Sequence, residues 1–422
     1  MLRFLLLPLV ALATVLGAQS PYAAGQRDVG WPNLTGQGTT TLICRIHYPS
    51  TTPGTDTPLL PRSGGWPSVV FLHGFATPGP FYDTLGQAFA AAGIIAVVSN
   101  TSLFDDVGQE QDGRALYHAV RSAHVDSGSP FFGAFAASKI GIAGHSMGGG
   151  NAANVLASNP GYACGFGFAP QDARGYAARS VSVPFGMVVG VQDAITPWQD
   201  NALAIYDDLR IYTGLKSLHV LTAPANHGNI AGLSLPVGTN DPSFDAAFSV
   251  ARGFFRRFLG EDASGLDALL GPDVAADPRV TSIRAQIESP QTWTNGPLNL
   301  GQSRRLSIAG EPGACGIVTG AFPLSSPVPT PFGNLLVDPS SLYMAFSGFA
   351  SAGRRFDVPL AIPNLPGLAG FTLYAQCFGR TRDHVLTLMA LVFALVWLGL
   401  AGGAQAQDFS REHIDRYDVS VD

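Results

Sequence analysis

Charge is scarce in this sequence. Asp, Glu, Lys and Arg make up 13% of 422 residues, and the formal net charge is −6. Without a basic surplus there is no electrostatic case for binding nucleic acid. Cysteine is scarce too, with four residues at Cys44, Cys164, Cys315 and Cys377. Their spacing matches no zinc site. A Gly-Lys-Ser/Thr phosphate loop is missing, and so is any repeat with a period of about 20–50 residues. These gaps leave no call for a metal or an organic cofactor. What the chain does hold is aliphatic residues with 50 glycines and 31 prolines. That mixture suits a compact, loop-rich fold and not a disordered chain.

The ends read differently from the middle. "MLRFLLLPLVALATVLGAQS" has a basic start at Arg3, an apolar run from Phe4 to Leu16 and a small-residue cleavage point after Ala18. We expect residues 1–18 to be a signal peptide and the protein to be secreted, extracellular or periplasmic. An even cysteine count then permits disulfides. Cys315 and Cys377, in one downstream region, are the expected pair. Cys44 and Cys164 sit in strand-like runs and are expected as buried thiols. The tail, 381–422, carries an apolar run from Val385 to Ala401 that ends in Ala404-Gln405-Ala406. It reads either as a membrane anchor or as a fused second signal peptide, because its flanking charges run against the positive-inside rule. On either reading it stands outside the fold.

Between the ends, short apolar runs alternate with helix-like segments. "VVFLHG", "IIAVVS", "KIGIAG", "FGMVVG" and "LHVLTA" read as strands. "YDTLGQAFAAAG", "QDGRALYHAVRSA", "GGNAANVLASNP", "WQDNALAIYDDL" and "AFSVARGFFRRFLG" read as helices. This βαβ rhythm predicts an α/β domain over 19–265, with a mostly parallel sheet and helices on both faces. Residues 266–297 read as a polar connecting segment. Short alternating runs with Pro/Gly turns over 298–380 predict a small all-β sandwich.

Gly144-His145-Ser146-Met147-Gly148 fits the G-x-S-x-G nucleophile elbow, between the strand Ile140–Ala143 and a helix of small residues. A nucleophilic serine needs a base, and the base needs an orienting acid. In this chain order both follow the serine. His227 lies in the loop after "LHVLTA", whereas His219 lies inside that strand. Asp193 sits just past "FGMVVG", with Asp172 as the alternative one strand earlier. Oxyanion donors are expected from the Met147 amide, at a helix N-terminus, and from the Phe75 amide in the loop after "VVFLHG". His73 is expected to shape that loop.

The runs "GIAGHSMGGG", "NTSLFDDVGQEQDGRALYHAV", "VPFGMVVGVQDAITPWQDNALAIYDDL" and "NHGNI" together resemble the bacterial cutinases and polyester hydrolases of the α/β-hydrolase fold. Platelet-activating-factor acetylhydrolases and dienelactone-hydrolase-like esterases are also similar. The resemblance covers roughly residues 40–260. It implies a Ser146–His227–Asp193 triad, Phe75 and Met147 as oxyanion donors, and Phe75, His145 and Ile195 at the substrate cleft. Two features depart from it. "GFAPQDARGY" lacks the tryptophan that flanks substrate in polyester hydrolases, and "HGFATPG" replaces a proline-glycine-aromatic run. Ser146 stands where a dienelactone hydrolase would carry cysteine. Residues 303–380 resemble a β domain at the C-terminus of exported bacterial proteins; the resemblance does not give its role, and surface or polymer attachment is a hypothesis.

The resulting expectation is a secreted, monomeric serine ester hydrolase acting on polymeric or lipid esters. The alternatives are a small-molecule or phospholipid acetyl-esterase, and a non-catalytic surface-binding protein with a hydrolase-like domain. The short stretch from Asp193 to His227 leaves little room for a lid, which favours an open cleft.

Overall fold

The computed structural model describes residues 22–158, 161–209, 215–233, 235–236, 238, 240–287, 291–310, 313–330, 333–350, 355–369, 372–379 and 414–420. The expected signal peptide and the apolar run 385–401 lie outside the described residues. Among the described residues no helix is long and apolar enough to cross a membrane.

Ten strands build the main sheet: β1 (Ala23–Pro32), β2 (Thr41–Ser50), β3 (Gly54–Thr55), β4 (Trp66–Leu72), β5 (Ile95–Ser99), β6 (Phe135–His145), β7 (Gly165–Phe168), β8 (Phe185–Gly190), β9 (Leu215–Leu221) and β10 (Val280–Ile287). Their order is β10-β9-β8-β7-β6-β4-β5-β2-β1-β3. The central run from β5 through β9 is parallel, and β2 and β10 flank it antiparallel. Five helices cover the faces: α1 (Asp83–Ala91), α2 (Asp106–Val125), α3 (Met147–Ser158), α4 (Ala202–Asp208) and α5 (Pro242–Phe258). This is the α/β architecture that the alternating rhythm predicts.

Successive strand side chains point to opposite faces, and β4 shows the division. Val70 and Leu72 join one apolar cluster with Leu116, Val120 and Val155 of α2 and α3. Val69 and Phe71 join the other with Leu85 and Phe89 of α1 and Phe254 and Phe255 of α5. Each such side chain, fully buried, contributes about 1.5–3 kcal/mol. Helix α2 begins five residues before the segment "QDGRALYHAVRSA" because Asp105 caps it. Its carboxylate accepts the Gly108 amide at 3.0 Å.

The expected connection over 266–297 is instead folded. Leu266 and Leu269 enter the core of the α/β domain, and β10 adds to the sheet edge beside β9. Trp293 is wholly buried in the same cluster, and its indole N–H donates to Asp267 Oδ1 at 3.0 Å. Arg305 of the strand Ser303–Ala309 donates to that same oxygen at 2.5 Å.

Beyond this junction lies the β domain. One three-stranded sheet pairs Gln291–Thr294, Ser303–Ala309 and Arg355–Ala361. A five-stranded sheet includes Gly313–Gly320, Leu342–Ala350 and Thr372–Gly379. Leu306, Ile308, Val358 and Leu360 of the first meet Ile317, Leu373 and Ala375 of the second in one core, as in a sandwich. Cys315 and Cys377 lie on neighbouring strands two positions out of register, opposite Gly379 and Ile317. Cys44 and Cys164 are buried, which pushes both thiols up in pKa.

One expectation about the tail needs correction. Ile414–Ser420 is not outside the fold. It pairs antiparallel with Thr372–Gly379 and parallel with Leu298–Asn299, satisfying backbone groups at that edge of the sheet.

Candidate active site

Ser146 stands alone between the end of β6 and the start of α3, with φ +56°. That left-handed conformation is unusual for a residue with a side chain and persists only where its surroundings enforce it. Here the Ser146 amide donates to the Phe168 carbonyl at 3.0 Å. The Ser146 carbonyl accepts the Gly149 and Gln171 amides, both at 2.9 Å. The flanking glycines are steric requirements. A Cβ at Gly144 would collide with the Gly148 carbonyl, and one at Gly148 would collide with the carbonyls of Leu72, the last residue of β4, and His73 just past it.

The candidate acid and base stand on turns two and three strands further along the chain. Asp193 follows β8, His227 follows β9, and His227 Nδ1 lies 2.8 Å from Asp193 Oδ2. With the carboxylate as acceptor, Nδ1 carries the proton and Nε2 keeps its lone pair. Asp193 Oδ1 also accepts the Ile195 and Thr196 amides, both at 2.9 Å. The Thr196 hydroxyl lies 2.9 Å from Asp193 Oδ2 and 3.1 Å from His227 Nδ1. Burial pulls the Asp193 carboxyl up, but its bonds with His227 and Thr196 outweigh that and hold it below the usual carboxylate range.

The alternatives lie elsewhere. The Asp172 amide bonds Asn201 Oδ1, and burial raises the Asp172 carboxyl. His219 is fully buried against the Leu269 carbonyl at 2.9 Å and is pushed down to about 4 by burial.

The loop after β4 completes the site. A Cβ on Gly74 would stand 3.4 Å from Ser146 Cβ, so this loop lies directly on the serine. Among the described residues neither the Phe75 nor the Met147 amide has an acceptor. His73 braces the loop from within, with Nδ1 2.8 Å from the Gly74 carbonyl and Nε2 2.7 Å from that of Thr101. Phe75 is 58% exposed and Ile195 72%, so neither side chain is buried in the core.

His145 is a correction. It is 1% exposed, so its side chain cannot line the substrate cleft. The pleat turns it inward from Ser146. Burial, and then the nearby His227, depress its pKa to about 3 and keep it neutral.

A family model described as PETase, PET hydrolase-like, matches residues 8–236. The chain belongs to that family. It is accordingly a hydrolase of ester bonds. Comparison with curated proteins finds no match. The PET hydrolase-like region holds Phe75, Ser146, Met147, Asp193 and His227. The match ends before β10 and the sandwich.

Two polar residues of this PET hydrolase-like site escape a reading of its motifs. Thr196 had a local signal, since Asp-x-x-Thr is the spacing at which an aspartate accepts the amide and hydroxyl three residues on. Tyr82 had none. Its hydroxyl reaches Gly74 and His145 only through the tertiary fold. Phe104 carries no motif signal either. It is 71% exposed and stands edge-to-face with Phe75, with ring centroids 5.6 Å apart.

Proposed function

We propose that this protein is a secreted serine ester hydrolase that works through an acyl-enzyme on Ser146. The observation that carries the reading is the 2.8 Å His227–Asp193 bond, together with a serine held at φ +56° between β6 and α3. In this mechanism Ser146 Oγ attacks the ester carbonyl carbon, and its proton passes to His227 Nε2. The amides of Phe75 and Met147 hold the oxyanion of the tetrahedral intermediate. As that intermediate collapses, the C–O bond to the alcohol breaks and His227 returns the proton to the leaving oxygen. Water, deprotonated by His227, then attacks the acyl-enzyme and frees the acid and Ser146. Asp193 fixes the His227 tautomer and stabilises its cation throughout.

The exposed Phe75–Phe104 pair, with exposed Ile195 on the turn of Asp193, supports a bulky or polymeric substrate, because exposed apolar side chains suit an extended apolar ligand. Ser146→Ala should lower kcat on p-nitrophenyl esters by about 10⁶-fold, as for other triad serines. Turnover near that of the parent would sink the assignment. A chain-length series of these esters, run beside a polyester film, tests the substrate class. Film release supports the polymer reading, and turnover of short acyl chains alone supports a simple esterase.

A further inference from the structure

Behind the catalytic residues runs a buried chain of hydrogen bonds. The Gly74 amide lies 2.8 Å from the Tyr82 hydroxyl. That hydroxyl lies 2.9 Å from His145 Nδ1, and His145 Nε2 lies 2.8 Å from the His227 carbonyl. We propose that this Gly74–Tyr82–His145–His227 relay locks the oxyanion loop to the loop of the base, with Tyr82 and His145 as positioning residues. The proposal rests on the catalytic reading above and adds two residues to it.

The direction of every bond is fixed by chemistry. The Gly74 N–H can only donate, so the Tyr82 oxygen accepts. The Tyr82 proton then has His145 Nδ1 as its acceptor. His145 therefore carries its proton on Nε2 and donates to the His227 carbonyl, which can only accept. The opposite tautomer would set a nitrogen lone pair against that carbonyl at 2.8 Å. Both side chains are buried, so breaking any link leaves polar groups without water to replace it.

Each end of the relay acts on a reacting group. The Gly74 carbonyl is held by the Thr77 amide at 3.1 Å and lies against His73 Nδ1. In a trans peptide the next N–H, that of Phe75, points the opposite way. Fixing Gly74 on both its amide and its carbonyl therefore aims the Phe75 donor. At the far end, Asp193 holds the His227 ring while His145 holds the His227 backbone. Acid and relay together leave the imidazole no freedom to tilt.

Tyr82→Phe removes one oxygen and keeps the ring packed on Phe71, 4.9 Å away between centroids. His145→Phe keeps a ring and removes both nitrogens. Each should lower kcat on p-nitrophenyl butyrate by about tenfold, the worth of one well-placed hydrogen bond, with KM little changed. The double variant should lose no more than the worse single, because both cut one chain. In ¹⁵N-histidine spectra of the parent protein, His145 should show its proton on Nε2. Losses that multiply in the double variant, an unchanged kcat in Tyr82→Phe, or a proton on His145 Nδ1 would each overturn the relay. Ser146→Ala in the same series keeps the two claims apart. Its survival would sink the catalytic reading, while the ¹⁵N spectrum still decides the relay.

Discussion

Ser146, the proposed nucleophile, shows how much such a role rests on the backbone. Its position depends on a left-handed backbone that Gly144 and Gly148 make possible and that the bonds to Phe168 and Gln171 hold. The same economy applies to the acid. Asp193 accepts from His227 and from two backbone amides, whereas among the described residues Asp172 makes no hydrogen bond to His227. Asp193→Asn should therefore lower kcat by about 10⁴-fold by disturbing the His227 tautomer, and Asp172→Asn should leave it within a few-fold. Steady-state kinetics of the pair checks this, and equal losses would reassign the acid. The three residues of the proposed triad can be picked out in the sequence because each sits at a strand end marked by a local apolar run. Tyr82 is not, because its partner His145 lies 63 positions away and meets it only in three dimensions.

At the scale of elements, the parallel strands are legible because buried strands read as apolar runs ended by turns. Strand β10 is not. Its side chains are mostly half-buried, and nothing local says that it pairs with β9. The consequence is a boundary that composition misplaces. A chain ending at 265 would leave the wholly buried β9 with an open edge and would strip Leu269 and Trp293 from the core. Open edges promote association. A protein spanning 22–297 should thus run as a monomer in size-exclusion chromatography and melt well above one spanning 22–265, which should aggregate. Equal behaviour of the two would mean that β10 is dispensable.

For the whole molecule, scarce charge places the pH response on buried histidines. His145 and His219 are held neutral, with pKa values near 3 and 4 against an ordinary 6.5. Below pH 6.5 the unfolded chain binds protons that the folded state refuses, so acid favours unfolding. Each histidine adds a loss of about 1.4 kcal/mol per pH unit once well below 6.5. Asp193 acts lower, since its depressed pKa contributes stability that is lost only as pH falls through the folded value. Urea midpoints should fall between pH 6.5 and 4.5, and His219→Phe should flatten that slope. A slope unchanged by the substitution would place the acid sensitivity elsewhere.

The central claim is that Ser146 forms the covalent intermediate. The direct measurement is peptide mass mapping after treatment with an aryl alkylphosphonate ester, which traps an activated serine at the oxyanion site. The account predicts one phosphonyl group per chain, on the peptide containing Ser146, with activity lost in proportion and no label on Ser146→Ala. Full inactivation with the label on another residue, or no label at all, would contradict it.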